Sequence, residues 1–224
     1  MSEGVLLALG VDSLRLLPES AAWHAASRTL FIADLHLGKS ATFRARGLPV
    51  PSGTTQDNLA RLATLVRAHG AARVVFLGDL LHSRHAQRAS AIAPLRAWRD
   101  EHAALHCVLV RGNHDSHAGD PPPSLAFEVV DEPWPVPGAA ALVGCHHPQR
   151  VPGATVLAGH WHPAVTLRGP ARDRQRLACF CLMEGLLVLP AFGAFTGSSS
   201  EAPPRGSTCY PVGGGRVWPG LRVD

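Results

Sequence analysis

The sequence lacks the features of a membrane or secreted protein. None of its apolar runs approaches the ~18 residues that a transmembrane helix needs. Its first residues, Met1-Ser2-Glu3-Gly4, lack the basic start and the long apolar stretch of a signal peptide. We therefore expect, from these absences, a cytoplasmic protein with no membrane partner.

Cysteine is too sparse and too irregular for a disulfide framework or a zinc ribbon. The five cysteines are odd in number, and their spacings fit neither pattern: Cys107, Cys145, Cys179, Cys181 and Cys209. Cys179 and Cys181 would lie on one face of a strand. We expect all five to be small structural residues.

Lysine is scarce, since Lys39 is the only one among the 21 basic residues. With so much alanine, glycine and proline, this indicates a compositional bias rather than selection for phosphate contacts. The formal charge of +4 permits a polyanionic partner without requiring one. Hydrophobic residues make up 46% of the 224, and we expect one globular domain over residues 1–224.

Histidine is the residue in excess, with thirteen copies. It is the common metal ligand and the side chain that titrates near neutral pH. Whether these histidines form a site depends on whether the fold brings them together.

The first half predicts alternating strands and helices. Strands are predicted at 29–33, 73–77 and 105–110. One intervening helix is predicted to begin near Ser52 or Thr54, either of which could cap it, and to end at Gly70. A second carries Ile92, Leu95 and Trp98 on its apolar face. This order predicts parallel strand pairing with right-handed crossovers.

After about residue 120 the pattern changes to short apolar runs separated by glycine and proline. They lie at 126–130, 141–144, 155–158, 164–168, 176–182 and 185–189. These runs predict a β-rich second half without long helices. The stretch 197–207 predicts a surface loop.

Each early strand is followed by residues that carry chemistry. Asp34-Leu35-His36, Gly78-Asp79 and Gly112-Asn113-His114-Asp115 follow the three strands in turn. In open parallel sheets, ligands gather outside the carboxyl ends of the strands. The second half adds His146-His147-Pro148 and Gly159-His160-Trp161-His162. The first motif alone is weak, but five motifs in order after predicted strands are a specific signal.

This series resembles the calcineurin-like metallophosphoesterase superfamily, and the match spans residues 32 to 163. A narrower resemblance covers nearly the whole chain. Segments 33–39, 78–82 and 189–197 look like the bacterial ligase-associated DNA damage response endonucleases. The resemblance implies an α/β fold, a four-layer αββα sandwich of mixed sheets with helices outside. It also implies a manganese-dependent DNA endonuclease or phosphodiesterase in DNA repair, associated with a DNA ligase and a helicase.

We expect seven metal ligands for two divalent ions. Asp79 is the candidate bridge, Asp34, His36 and His162 converge on one ion, and Asn113, His146 and His160 complete the other. Ions about 3.5–4 Å apart neutralise charge on a phosphodiester and provide a bridging hydroxide as nucleophile. Oxygen and nitrogen donors without thiolate favour Mn or Fe, with Zn possible, and the narrower resemblance implies Mn.

The resemblance assigns His114 a catalytic role, either stabilising the transition state or protonating the leaving oxygen. Asp115 is expected to orient the His114 ring, with a helix cap as the alternative. His82 is either a supporting residue of the site or merely polar.

Three basic residues after the first motif are candidates for substrate binding. Lys39, Arg44 and Arg46 either contact DNA phosphates or are solvated loop residues. Trp161 either stacks on a base or packs at the rim of the site.

Only one ring of the pair His146-His147 is expected to reach an ion. Pro148 restricts His147 to extended backbone geometry, and neighbouring side chains of extended chain point to opposite faces. The superfamily's His-x-Pro arrangement places the ligand first, which selects His146.

Two other functions remain compatible with these motifs. A phosphomonoesterase or small-nucleotide phosphodiesterase would use the same metal ligands, because the metal site contacts only the phosphate and not the rest of the substrate. The alternative from another class is a non-catalytic protein-binding scaffold. A scaffold of that kind should lose its metal ligands first, and in this sequence all of them are present.

Overall fold

The computed structural model describes residues 4–45, 47, 53–170 and 173–224. Within these ranges the chain forms two β-sheets joined by a shared apolar core, with α-helices against one of them. The expected helix cap Ser52 and the candidate contact Arg46 lie outside the described residues.

The first sheet has seven strands that are neighbours in chain order: β1 (Val5–Leu9), β2 (Asp12–Leu17), β3 (Ala21–His24), β4 (Thr29–Ile32), β5 (Arg73–Leu77), β6 (His106–Val110) and β7 (Phe127–Val130). Strands β1 to β4 form an antiparallel meander. Strands β4 to β7 are parallel, so the carboxyl ends of β4, β5 and β6 reach the same edge.

The second sheet is built from the rest of the chain: β8 (Trp134–Pro135), β9 (Leu142–Gly144), β10 (Thr155–Ala158), β11 (Ala164–Arg168), β12 (Arg174–Met183), β13 (Leu186–Val188), β14 (Thr208–Gly213), β15 (Arg216–Val217) and β16 (Leu221–Arg222). Its strand order is β15-β14-β12-β13-β10-β9-β8, with β11 against β12 and β16 against β14. Strands β9, β10 and β13 are parallel to one another.

The four described α-helices all lie before residue 120: α1 (Lys39–Ala45), α2 (Thr54–His69), α3 (Ala89–Glu101) and α4 (Asn113–Ala118). Gly70 ends α2 in a left-handed conformation, as predicted, and its N–H bonds the carbonyls of the last turn. Thr54 is the first residue of α2 rather than its cap, and its hydroxyl bonds Ser40. None of the described helices combines the length and apolar character needed to cross a membrane.

Side-chain alternation divides the core into three layers. Leu30, Ile32 and Phe76 pack with the apolar faces of α2 and α3. Their neighbours on the opposite sheet face pack between the two sheets, including Phe31, Val75, Phe180 and Leu187. A third cluster lies on the outer face of the second sheet and contains Cys145, Cys179, Cys181 and Cys209. All five cysteines are buried and free, as expected for structural residues.

The predicted strand–helix alternation and the β-rich second half are confirmed. The mixed two-sheet sandwich is confirmed as well, but described helices cover only one of its outer faces. The outer face of the second sheet instead meets loop residues and the C-terminal segment, such as Val151 and Val223. The meander β1–β3 was not predicted, although Leu14 and Leu16 alternate with polar neighbours in β2.

Candidate metal centre

The five motifs meet at one edge of the sandwich, as predicted. Asp34 and Asp79 each lie two positions after the end of a parallel strand, at Ile32 and Leu77. In the second sheet, His146 and His160 stand in the same relation to β9 and β10.

Backbone hydrogen bonds join the two sheets at this edge. Phe192 N donates to Ala33 O at 2.8 Å, and Gly193 N donates to Asp34 O at 3.2 Å. Ala33 also forms a parallel bridge with Ala191. The parallel strands of both sheets therefore deliver their polar ends to one place.

The backbone is unusual where the ligand candidates lie. Among the described residues, nine non-glycine residues have positive φ, and five of them are expected ligands: Asp34, His36, Asp79, His160 and His162. Residues other than glycine rarely adopt this conformation, and such strain concentrates at functional sites. At these strand-end turns the side chains of Asp34, His36 and Asp79 are buried, whereas His160 is exposed.

One group of side chains surrounds Asp34. Its Oδ1 lies 3.4 Å from His162 Nε2, and its Oδ2 accepts a hydrogen bond of 2.9 Å from the backbone N–H of His160. Donor atoms of Asp34, His36 and His162 all lie within 4.8 Å of one another. The close contact between Asp34 and His160 satisfies the expectation that the first and last motifs adjoin.

A second group surrounds His146, which is fully buried. Its Nε2 lies 2.9 Å from Asn113 Oδ1, 3.1 Å from His160 Nδ1 and 3.5 Å from Asp79 Oδ1. Its Nδ1 lies 3.1 Å from the Leu77 carbonyl, which can only accept. The proton therefore belongs on Nδ1, and the lone pair of Nε2 faces the same space as the oxygens of Asn113 and Asp79.

Asp79 lies between the two groups. Its Oδ2 is 3.6 Å from His36 Nε2, and its Oδ1 faces His146. The Asp79 side chain is 3% exposed, so two buried carboxylates, those of Asp79 and Asp34, share this small volume. Buried anions are costly without a positive partner.

The donor set fits divalent cations. Asp34 Oδ1 and His36 Nδ1 are buried without a hydrogen-bond partner in the described chain. Burial, followed by the charge of Lys39, lowers the pKa of His36 to about 2, which keeps its imidazole neutral and able to bind a metal. Carboxylate, amide and imidazole donors therefore converge on space that suits a metal ion.

Two motif glycines make room for the ligands. A Cβ at Gly78 would lie 2.0 Å from His146 Nδ1, and one at Gly112 would lie 2.4 Å from Asp79 Oδ1. Both distances are far below van der Waals contact. The glycines therefore belong to the motifs because any larger residue would displace a ligand candidate.

His114 lies beside the metal-binding groups, with its side chain 38% exposed. Its Nδ1 lies 3.0 Å from the carbonyl of His82, and its ring stacks on the His82 ring at 5.0 Å. Because the carbonyl accepts, Nε2 is the ring nitrogen directed toward the site, 3.9 Å from Asp79 Oδ2. His82, which the sequence left undecided, thus orients His114.

Asp115 occupies a different position from the one expected. Its two carboxylate oxygens accept backbone hydrogen bonds from Leu81 N and Gly112 N, each at 3.0 Å. These bonds cap α4 and tie the second motif to the third. The orientation of the His114 ring comes from the His82 carbonyl, so the capping alternative describes the contacts of Asp115.

Glu132 is a residue that the sequence did not suggest. Its Oε2 accepts hydrogen bonds from the backbone N–H of His146 and His147, at 2.6 and 2.9 Å. Its Oε1 lies 2.6 Å from His147 Nδ1, so the exposed His147 ring is paired with a carboxylate. These bonds lower the pKa of Glu132 despite its burial. Glu132 fixes the segment that carries His146.

The expected substrate contacts lie at different depths. Lys39 begins α1 and donates to the carbonyl of Thr196 at 2.7 Å, while its charge acts on Asp34 and Asp79. Arg44 is exposed in the last turn of α1. Trp161 is 38% exposed and lines a small cleft with Pro163 and Glu201.

The sequence of this chain matches the model of a known family. Residues 27–149, which include the first four motifs, match the calcineurin-like phosphoesterase model. The chain belongs to the calcineurin-like phosphoesterase family. As a phosphoesterase of this family it is a metal-dependent hydrolase, and its buried histidine and aspartate groups fit the metal site.

Solved structures extend the comparison of this phosphoesterase beyond the matched segment. The Pseudomonas putida nuclease MPE is 41% identical, with a TM-score of 0.83, and the alignment covers 98% of this chain and 100% of that one. YfcE, a phosphoesterase from E. coli, is 16% identical with a TM-score of 0.44, over 88% and 99% of the two chains. No curated protein matches the chain in sequence.

Proposed function

We propose that this phosphoesterase hydrolyses phosphodiester bonds in DNA with two divalent metal ions, as an endonuclease or phosphodiesterase. The observation that carries the proposal is the likeness to a nuclease, 41% identical over 98% of the chain. The complete set of ligand candidates at one edge of the sandwich supports it.

Asp34, His36 and His162 hold one ion in this proposal, and Asn113, His146 and His160 hold the other, with Asp79 shared. The short distances within each group and the central position of Asp79 support the assignment. Bound divalent ions supply positive charge that neutralises the phosphodiester and a water of lowered pKa. We propose manganese for both ions, because oxygen and nitrogen donors without thiolate suit it.

His114 acts on the substrate in this proposal. Its Nδ1–H donates to the His82 carbonyl, so Nε2 carries the second proton of the imidazolium form and can donate it, as a hydrogen bond or a proton, to an oxygen of the substrate. Asp115 is a positioning residue, because its carboxylate holds the turns that carry Asp79 and Asn113.

Lys39 and Arg44 bind substrate phosphates in this proposal. The half-buried ammonium of Lys39 lies near the two site carboxylates, and Arg44 is exposed on the same helix. Work alongside a DNA ligase and a helicase is proposed from the narrower sequence resemblance alone. A cytoplasmic location is proposed because the cysteines are free.

A substrate panel tests this function. Single-stranded, duplex and nicked DNA, RNA, a phosphomonoester and a small diester would each be assayed with Mn²⁺, Fe²⁺, Zn²⁺ and Mg²⁺ after chelation. We expect DNA cleavage to be fastest with Mn²⁺ and DNA affinity to fall as salt rises, since bound counterions are released. Asp79→Ala should abolish cleavage, whereas Asp100→Ala, an exposed carboxylate on α3, should not.

Two outcomes would overturn the proposal. Wild-type turnover by chelated protein or by the Asp79→Ala variant would contradict the metal site. Robust phosphomonoesterase activity with no measurable nuclease activity would instead select the monoesterase.

The role of His114 has its own test. His114→Ala should keep both metal ions and slow DNA cleavage by about 10²–10⁴ if the residue is a general acid. The loss should shrink on p-nitrophenyl esters, whose leaving group needs no proton. An equal loss on both kinds of substrate would mean that His114 stabilises charge on the phosphate. His106→Ala, at the opposite end of β6, is the control.

A further inference from the structure

Phe195 holds an aromatic ring in solvent next to the metal centre. It is 51% exposed, and its φ of 62° lies in the left-handed region. Because the ring is half in solvent, core packing does not account for this conformation. A strained residue of this kind persists where its surroundings impose it, most often at a functional site.

The ring lines a cleft that continues from the metal centre, and we call this space the Phe195 cleft. Its volume is about 350 Å³, and its walls include His162, Pro163, Ala178, Ala191, Phe195 and Ser198. That volume is in the lower part of the range for small-molecule sites. Since His162 is a proposed metal ligand, a phosphate bound at the metals would adjoin whatever occupies this cleft.

The segment that carries the ring is anchored on several sides. Gly193 N donates to Asp34 O at 3.2 Å, and Ala194 N donates to Asn58 Oδ1 at 3.1 Å. Lys39 Nζ donates to the carbonyl of Thr196 at 2.7 Å. The backbone that carries the ring is therefore held in place before any ligand binds, which lowers the entropy cost of binding.

The charges around the cleft suit a polyanion. Two cations bond the segment that lines the cleft: Lys39 at the carbonyl of Thr196, and Arg176 at the hydroxyl of Ser198 and the carbonyl of Ser199. None of the described residues that line the cleft is acidic. The neighbouring cleft at Trp161, by contrast, includes Glu201, which would repel phosphate.

We propose that the Phe195 cleft binds the nucleobase next to the phosphodiester being hydrolysed, with Phe195 as its stacking platform. This inference rests on the proposed function and adds a specificity-determining residue to it. Stacking tolerates any base, because every base has a π-face. The cleft would thus favour nucleoside esters over simple esters without imposing a sequence.

The test compares diesters that share one leaving group. Thymidine 5′-(p-nitrophenyl phosphate), thymidine 3′-(p-nitrophenyl phosphate) and methyl p-nitrophenyl phosphate are assayed with Mn²⁺ by release of p-nitrophenolate. The readout is the ratio of kcat/KM for each nucleoside ester to that for the methyl ester. We expect the wild-type ratio to exceed one for at least one isomer.

Phe195→Ala and Phe195→Leu should lower that ratio by about 5- to 150-fold, which corresponds to the 1–3 kcal/mol of one base–aromatic stack. Phe195→Trp should keep it, because it restores a flat ring. All three variants carry a side chain at the same left-handed position, so the backbone strain is matched. Trp218→Ala removes another exposed aromatic, whose described contacts are with Pro211, Gly213 and Arg216, and should leave the ratio unchanged.

The outcomes separate this inference from the proposed function. A wild-type ratio near one, or an unchanged ratio in both Phe195→Ala and Phe195→Leu, would overturn the stacking platform while leaving diester hydrolysis intact. No hydrolysis of any diester by the wild type would overturn the proposed function and this inference together. Manganese content, measured for every variant, shows whether a change in the ratio comes from lost metal.

Discussion

Replacing His146 with alanine should strip or weaken one metal ion, whereas replacing His147 should leave metal occupancy near normal. The His146 ring is fully buried, with Nε2 directed at Asn113 and Asp79. The His147 side chain is 45% exposed, and its Nδ1 lies 2.6 Å from Glu132 Oε1. The two variants thus remove the same side chain at adjacent positions, and the two rings differ in whether they point toward the proposed metal site.

The expected magnitude follows from the position of each ring. Removing a residue that only supports a metal ligand costs about 10–100-fold in metal affinity. His146 presents its lone pair directly, so His146→Ala should cost more than about 100-fold, or roughly 2.7 kcal/mol. His147→Ala leaves Glu132 bonded to both backbone amides, so we expect less than about tenfold.

Both variants would be loaded with Mn²⁺, and bound metal would be measured by elemental analysis and by calorimetric titration. Thermal unfolding of the metal-free proteins is the control, because His146→Ala also leaves a buried void. Donor atoms of His146, His147 and His160 lie within 4.8 Å of one another, so His147 is the specific rival. Loss of metal from His147→Ala with retention in His146→Ala would refute the assignment.

Three further predictions follow from the same geometry. Gly78→Ala should lose the second ion as His146→Ala does, because its Cβ would lie 2.0 Å from His146 Nδ1; two ions bound at wild-type affinity would contradict this. Glu132→Ala should weaken Mn²⁺ binding by about 10–100-fold, measured by titration, because the backbone amides of His146 and His147 lose their acceptor; unchanged affinity would show that Glu132 does not support the site. The free energy of unfolding of the metal-free protein should fall as the pH drops below 6.5, by up to about 1.4 kcal/mol per pH unit. The cause is that His36 takes up a proton in the unfolded chain but stays neutral in the folded protein, where its pKa is about 2. Urea unfolding between pH 7 and 5 should therefore show a weaker pH dependence for His36→Gln than for the wild type.

The strand and helix pattern was readable because it is local. The predicted strands at 29–33, 73–77 and 105–110 match β4, β5 and β6 within one residue at each end. Each is a buried apolar run, and the helix between the first two ends at a glycine. Their parallel pairing then requires that the motifs after them share one edge.

The second half was predictable for the same reason, since its six apolar runs match β7 and β9 to β13, although β8 was not predicted. The outer face of the second sheet, which loop residues and the C-terminal segment cover, agrees with the absence of long helical periods after residue 120. The αββα expectation came from resemblance rather than from this part of the sequence.

The contacts that hold the metal centre in place depended on the tertiary structure. Strand β8 pairs antiparallel with β9 so that Trp134 faces Gly144, and this register brings Glu132 opposite His146. The orientation of His114 by the His82 carbonyl likewise joins loops that lie 32 positions apart. No local period relates such residues, because their proximity comes from strand order and register. Sequence alone determined the candidate ligands and their shared edge, and only the folded chain decided which groups orient them.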